Sequence, residues 1–139
     1  MKNGGNISSG FLNVDLEVES RAELVPLIQA LSASTVVLAS FRRGRRYLAR
    51  FELAVQPRTP AHGIRAFGRL IRRLPARVRR LWNGATRRDL DIGVETSVRR
   101  REDNVVLSRK AVQEAAELSA RILVTVYQSN GRGRRLTRA

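Results

Sequence analysis

The stretch Thr59-Pro60-Ala61-His62-Gly63-Ile64-Arg65-Ala66-Phe67-Gly68-Arg69-Leu70-Ile71-Arg72-Arg73-Leu74-Pro75 decides how the rest of the chain reads. Thr59 offers a side-chain oxygen to the free N–H groups of a helix start, and Pro60 suits the first helical position, where no N–H is needed. At about 100° per residue, Ile64, Phe67, Leu70, Ile71 and Leu74 gather in one arc, and Arg65, Arg69, Arg72 and Arg73 fall opposite. The spacing predicts an amphipathic helix from Pro60 to about Leu74, with its apolar stripe on a sheet and its cations in water. Pro75 interrupts it, a second segment runs to about Asn83, and Gly84 marks the stop. Trp82, near the end of that segment, reads as a core anchor. From Leu53 through Arg88 there are ten arginines and no acid. Like charges three and four apart weaken an isolated helix, so the packed stripe must hold it.

Toward the N-terminus, Leu12, Val14, Leu16 and Val18 alternate with Asn13, Asp15, Glu17 and Glu19. That period of two predicts a strand over Phe11–Glu19 with one buried face. A helix from Arg21 to Leu31 follows, with Leu24, Leu27, Ile28 and Leu31 as its stripe. Ser20 and Glu23 have capping-box spacing, but Pro26 then lies beyond the first turn, so a start two or three residues later suits it better. Strands over Thr35–Phe41 and Tyr47–Val55 flank Arg42-Arg43-Gly44-Arg45-Arg46, a turn in which Gly44 can take a positive φ. Tyr47, Ala49, Phe51, Leu53 and Val55 share one face of the later strand; Arg50 and Glu52 take the other.

Beyond the basic helix, Asp89–Val98 reads as a strand with Leu90, Ile92, Val94 and Val98 on one side and Asp89, Asp91 and Glu95 on the other. Arg99 to Asn104 is a charged loop. Ser108 caps a helix over Arg109–Ala120, and Ile122, Val124 and Val126 alternate in a last strand, Arg121–Gln128.

The order β-α-β-β-α-β-α-β predicts an α+β fold: an antiparallel sheet with helices on one face, a ferredoxin-like β-α-β-β-α-β core and a C-terminal α-β extension. Residues 1–10 read as a flexible N-terminus, 11–128 as a single domain and 129–139 as a disordered Gly/Arg-rich tail. A chain of 139 residues is long enough for a real core. No apolar run approaches the ~18 residues of a membrane helix, and Met1–Gly10 lacks the apolar segment of a secretory signal. A cytoplasmic protein without a membrane partner is expected. This fold hosts many functions, so function must come from particular residues.

Charge dominates the composition. Lys plus Arg is 27 against 12 acids, a formal net charge of +15, and only Lys2 and Lys110 are lysines. Such a surface concentrates polyanions. A GC-rich genome would also favour arginine over lysine, but it does not account for the deficit of acids. The candidate contact residues are Arg42, Arg43, Arg45, Arg46, Arg65, Arg69, Arg72, Arg73, Arg77 and Arg80, each offering a planar fork to phosphate or carboxylate. The tail Arg132-Gly133-Arg134-Arg135 extends that footprint. The expected partner is an acidic protein or nucleic acid. The stretch Arg43-Gly44-Arg45-Arg46-Tyr47 begins like the strand signature of RNA-recognition domains, but the alternation turns Tyr47 and Phe51 toward the helices, away from the open face.

The acids cluster differently. Asp15, Glu17, Glu19, Glu52, Asp89, Asp91 and Glu95 all fall on the open face of the sheet. The first and fourth strands are neighbours in this fold, so like charges face one another and need relief from Arg50, Arg99, a cation or a partner. A metal-dependent phosphodiesterase using Asp15, Asp89 and Asp91 ranks third among the functions, because carboxylates two apart are generic to half-exposed strands. His62 is the only histidine and there is no cysteine, so neither a histidine metal triad nor a thiol nucleophile is expected. No Gly-rich phosphate loop is present, no cofactor is expected, and the reading is non-enzymatic. An open sheet also offers an edge for strand addition or a dimer by sheet pairing.

Phe11-Leu12-Asn13-Val14-Asp15-Leu16-Glu17, the helix ending Leu74-Pro75 with Leu81-Trp82 after it, Asp91-Ile92-Gly93, and Val124-Thr125-Val126-Tyr127 together resemble short uncharacterised bacterial domains of unknown function. Some of these are similar to immunity proteins of toxin systems. The resemblance spans roughly residues 11 to 128 and implies a small bacterial binding protein, with no catalytic residues to carry over. The charge departs from it: an inhibitor of a basic nuclease is usually acidic, so this chain would need an acidic toxin.

Overall fold

The apolar stripe of the basic helix lies on a sheet. A computed structural model describes residues 10–96 and 104–128. Its elements in chain order are β1 (Phe11–Ser20), α1 (Val25–Leu31), β2 (Thr35–Arg43), β3 (Arg46–Leu53), α2 (Pro60–Arg72), α3 (Ala76–Asn83), β4 (Arg87–Thr96), α4 (Arg109–Glu117) and β5 (Arg121–Gln128). The fold is α+β. Most of the predicted N-terminus, Val98, loop residues 99–103 and the tail 129–139 lie outside the described residues.

The strands form one sheet in the order β2-β3-β1-β4-β5. Leu16 sits opposite Phe51 on β3 and Leu90 on β4, and the three share the helical side. One hydrophobic cluster joins Val14, Leu16, Val18, Phe51, Leu90 and Ile92 of the sheet to Leu27, Leu31, Ile64, Phe67, Ile71, Trp82, Ala111 and Ala115 of the helices. Burial of these side chains supplies the main driving force for the fold, about 1.5–3 kcal/mol for each large aliphatic or aromatic group. α3 packs beside α1 and α4 beside α2.

Four expectations need correction. The sheet is mixed: β2–β3, β3–β1 and β1–β4 are antiparallel, but β4–β5 is parallel. After β4 the chain crosses over the sheet through α4, and a strand returning beside its predecessor by such a crossover re-enters in the same direction. α1 starts at Val25 with no side-chain cap, and Pro26 sits in its first turn, where proline is tolerated. Ser20 Oγ instead accepts from the Ala22 N–H at 3.0 Å, closing a local turn. β3 stops at Leu53, leaving Val55 83% exposed. α4 ends at Glu117, because Ser119 takes φ 57° and breaks the helix before Ala120.

Two glycines carry specific demands. Gly44, with φ 61°, makes the β2–β3 turn. Gly63 lets α2 lie directly on β1: a Cβ there would sit 2.7 Å from Val14 Cγ2.

Candidate polyanion-binding surface

α2 is placed by its cap and its stripe. Thr59 Oγ1 accepts from the His62 N–H at 3.1 Å, and Pro60 occupies the first turn. Gly63, Ile64, Phe67, Gly68 and Ile71 are buried, so Arg65, Arg69 and Arg72 point outward. In α3, Trp82 is buried and Val78 and Leu81 pack against the core, which turns Arg77 and Arg80 outward. Arg69 and Arg72 stand in the last turn of α2 and Arg80 in that of α3, where cations meet the negative end of the helix dipole.

Several arginines are tied to the protein itself. Arg72 is bonded to Glu114 of α4, and that bond raises its pKa further above the usual arginine value. Arg79 Nη1 donates to the Ile71 carbonyl at 3.3 Å. Arg88 closes the end of α3: Nη1 donates to the carbonyls of Trp82 and Ala85 at 2.9 and 3.0 Å, and Nε to Ser119 at 3.0 Å. Its guanidinium also lies 5.8 Å from the Trp82 ring centre. By contrast, Arg65, Arg69, Arg73, Arg77 and Arg80 are exposed and have no acidic partner among the described residues.

The hairpin arginines do not join this helical surface as a block. Arg42 lies over Tyr47 and donates Nε to the Gly44 carbonyl at 2.9 Å. Arg43 turns to the open face, against Phe41. Arg46 is on the open face too, 2.8 Å from Glu19. Arg45 is exposed at the tip. Tyr47 and Phe51 point to the helical side as the alternation requires, and Phe51 is fully buried.

The open face holds an ion-pair lattice. Asp15, Asp89 and Asp91 sit where the alternation places them, but they are buried, at 1%, 1% and 6% exposure, not solvated. Arginine side chains lie over them. Arg121 binds Asp89 with two bonds, Nε to Oδ1 at 2.7 Å and Nη2 to Oδ2 at 3.0 Å. Arg87 reaches Asp89 at 2.5 Å, Glu19 at 3.2 Å and Glu17 at 3.4 Å. Burial pushes the Asp89 carboxyl up, but the bonds from Arg121 and Arg87 outweigh it and hold the group below the usual carboxylate range. Glu19 is lowered in the same way, burial being outweighed by Arg87 and Arg46. A shallow depression of about 580 Å³ lies on this face, between Phe41, Leu48 and Tyr127 with Arg43, Arg50 and Arg87.

This arrangement bears on metal chemistry. Asp15 and Asp91 share Arg50, and Asp89 is taken by Arg87 and Arg121. A divalent ion on those three carboxylates would have to displace all three guanidiniums. Among the described residues, no group of three or more His, Cys, Asp or Glu is placed to hold a metal ion. Alternation alone pointed to Arg50 but not to Arg87 or Arg121. The available signal was the alternation of the last strand, which puts Arg121 and Thr125 on the side of Asp89 and Asp91.

No protein-family model, curated protein or solved structure matches this chain. Among the described residues, no helix is long and apolar enough to cross a membrane.

Proposed function

We propose that this chain is a non-enzymatic bacterial binding domain, cytoplasmic, whose α2–α3 arginine surface docks an acidic protein or other polyanion. One observation carries the reading: the arginines divide into those paired with acids and those without an acidic partner. On the open face Arg46, Arg50, Arg87 and Arg121 pair with the acids of the sheet, while Arg65, Arg69, Arg73, Arg77 and Arg80 remain without acidic partners among the described residues on the helical side. Arginines that merely reflect genome composition have no reason to be paired with acids across the sheet and left without acidic partners along α2 and α3. The antiparallel order β2-β3-β1-β4, linked through α1 and α2, supports reading the core as ferredoxin-like, with α4 and β5 as the extension.

Nonspecific nucleic-acid binding is the second reading, favoured by the repeat of Arg65, Arg69 and Arg73 four residues apart along one helical face. Titration with polyglutamate, duplex DNA and single-stranded DNA at two salt concentrations tests both. Binding should weaken steeply with salt. Replacing Arg65, Arg69 and Arg77 by Ala should flatten the duplex slope by about 0.9 for each phosphate no longer neutralised. Binding to polyglutamate alone supports an acidic protein partner, and binding to DNA alone supports the second reading. If none of the three probes binds at low salt, both readings fail.

A further inference from the structure

The two edges of the sheet are built differently. β2 carries a register irregularity between Val37 and Ala39 and ends in Arg42 and Arg43. Bulges and charged side chains are devices that keep an edge strand from pairing with another chain. β5 has neither. It runs eight residues beside β4 without a register shift, and Ile122–Gln128 contains no charge and no proline. Leu123, Val124 and Val126 are 38%, 58% and 59% exposed. Among the described residues β4 is its one neighbour in the sheet.

We propose that β5 pairs antiparallel with β5 of a second copy of this chain, across a two-fold axis perpendicular to the sheet. The two five-stranded sheets then form one continuous sheet, with both helical layers on the same side. That symmetry keeps each side chain on its own face, so residues of like parity must oppose. The register centred on Val124 sets Val124 against its own counterpart and Ile122 against Val126 on the helical side. On the open side it sets Leu123 against Thr125 and Arg121 against Tyr127. Aliphatic pairs and a cation beside an aromatic ring are favourable cross-strand neighbours.

This self-complementarity is what a two-fold interface demands, and it selects a copy of the chain over an unrelated strand. Charge points the same way. At a net charge of +15, copies repel wherever their arginines meet. β5 carries one cation, Arg121, and Asp89 neutralises it with two bonds. An eight-residue edge is about 26 Å long. Pairing it covers on the order of 500 Å² per copy, near the lower limit of about 1,000 Å² in total for a specific interface. A micromolar dimer is therefore expected, not an obligate one. The proposal rests on the edge strand alone and is independent of what the arginine surface binds.

Sedimentation equilibrium over a micromolar to sub-millimolar range should show a monomer–dimer equilibrium. Val124→Lys and Val126→Lys, both at exposed positions, should shift it to monomer by tenfold or more in Kd while circular dichroism and thermal unfolding stay unchanged. The chain has no cysteine, so Val124→Cys introduces a sole thiol. Mild oxidation or a short thiol cross-linker should then give a covalent dimer, while Val36→Cys on β2, 52% exposed in the parent, stays monomeric. A monomer at every concentration, a dimer unaffected by Val124→Lys, or cross-linking of Val36→Cys as readily as Val124→Cys would overturn the proposal.

Discussion

Asp15 and Asp91 face each other across β1 and β4, nearly buried, and a single guanidinium spans them. Arg50 lies with Nε 3.4 Å from Asp15 and Nη2 2.9 Å from Asp91. Thr125 donates its hydroxyl to Asp91 at 2.6 Å and so adds a second partner to that carboxylate. Two carboxylates directly opposite repel, and among the described residues Arg50 is the cation that bridges them.

Arg50→Met should therefore lower the unfolding free energy by about 2 kcal/mol. That is less than for a fully buried pair, because the Arg50 side chain is 32% exposed. Adding Asp91→Asn removes the repulsion and should restore part of the loss. Urea denaturation of the two variants checks this. A double variant no more stable than Arg50→Met would mean that the repulsion is not what Arg50 relieves.

The lattice also sets an acid limit. Asp89 and Glu19 both titrate below the usual carboxylate range in the folded protein. In acid the unfolded chain therefore binds more protons than the folded one, so stability rises with pH through that window. The stabilisation is present above about pH 4–5, where the unfolded carboxylates ionise, and is lost as pH falls through the folded values. Thermal unfolding should show a melting temperature that drops as the solution is acidified below that range. In Asp89→Asn, with its two arginines left without their shared carboxylate, the drop should be shallower and start from a lower plateau.

The packing of α2 on β1 at Gly63 leaves no room for a methyl group, since Val14 Cγ2 would lie 2.7 Å from it. Both residues belong to packed elements, so Gly63→Ala should destabilise by about 1–3 kcal/mol, as overpacked cores do. Pairing it with Val14→Ala should return some of that stability. A neutral Gly63→Ala would show that the helix can shift away from the sheet without penalty.

Arg72 and Arg69 stand three apart on α2, but only Arg72 is held by Glu114. In polyanion titrations at low salt, Arg69→Ala should therefore weaken binding more than Arg72→Ala. Glu114→Gln, which frees Arg72, should tighten binding by about two- to threefold and steepen the salt slope by up to about 0.9 on duplex DNA. Equal effects of the two arginine substitutions would mean that Glu114 does not hold Arg72 in solution.

The basic helix was legible because its periodicity, Thr59 and Pro60 all point to one start and one buried side. The strand alternation gave the faces of β3, β4 and β1 from Asn13 on for the same reason: side-chain direction follows from local backbone geometry. At the register irregularity between Phe11 and Asn13 it failed, and Phe11, not Leu12, packs against the core. The start of α1 was half legible. Ser20 and Glu23 have the spacing of a cap, but Pro26 competes with it, and in the folded chain the proline position prevails.

Local periodicity told which side each carboxylate takes, but not what it meets there. Asp89 is 32 residues from Arg121, and Arg50 is 41 from Asp91; only strand order and register bring them together. The direction of β5, the burial of the three aspartates under guanidinium groups, and the division of arginines into bound and free were decided by the same register. From the sequence alone came the elements, the apolar stripes, the faces and the excess of positive charge, because these depend on neighbours a few residues apart. The tertiary structure decided which charges cancel and which remain for a partner, because ion pairing acts through space between residues far apart along the chain.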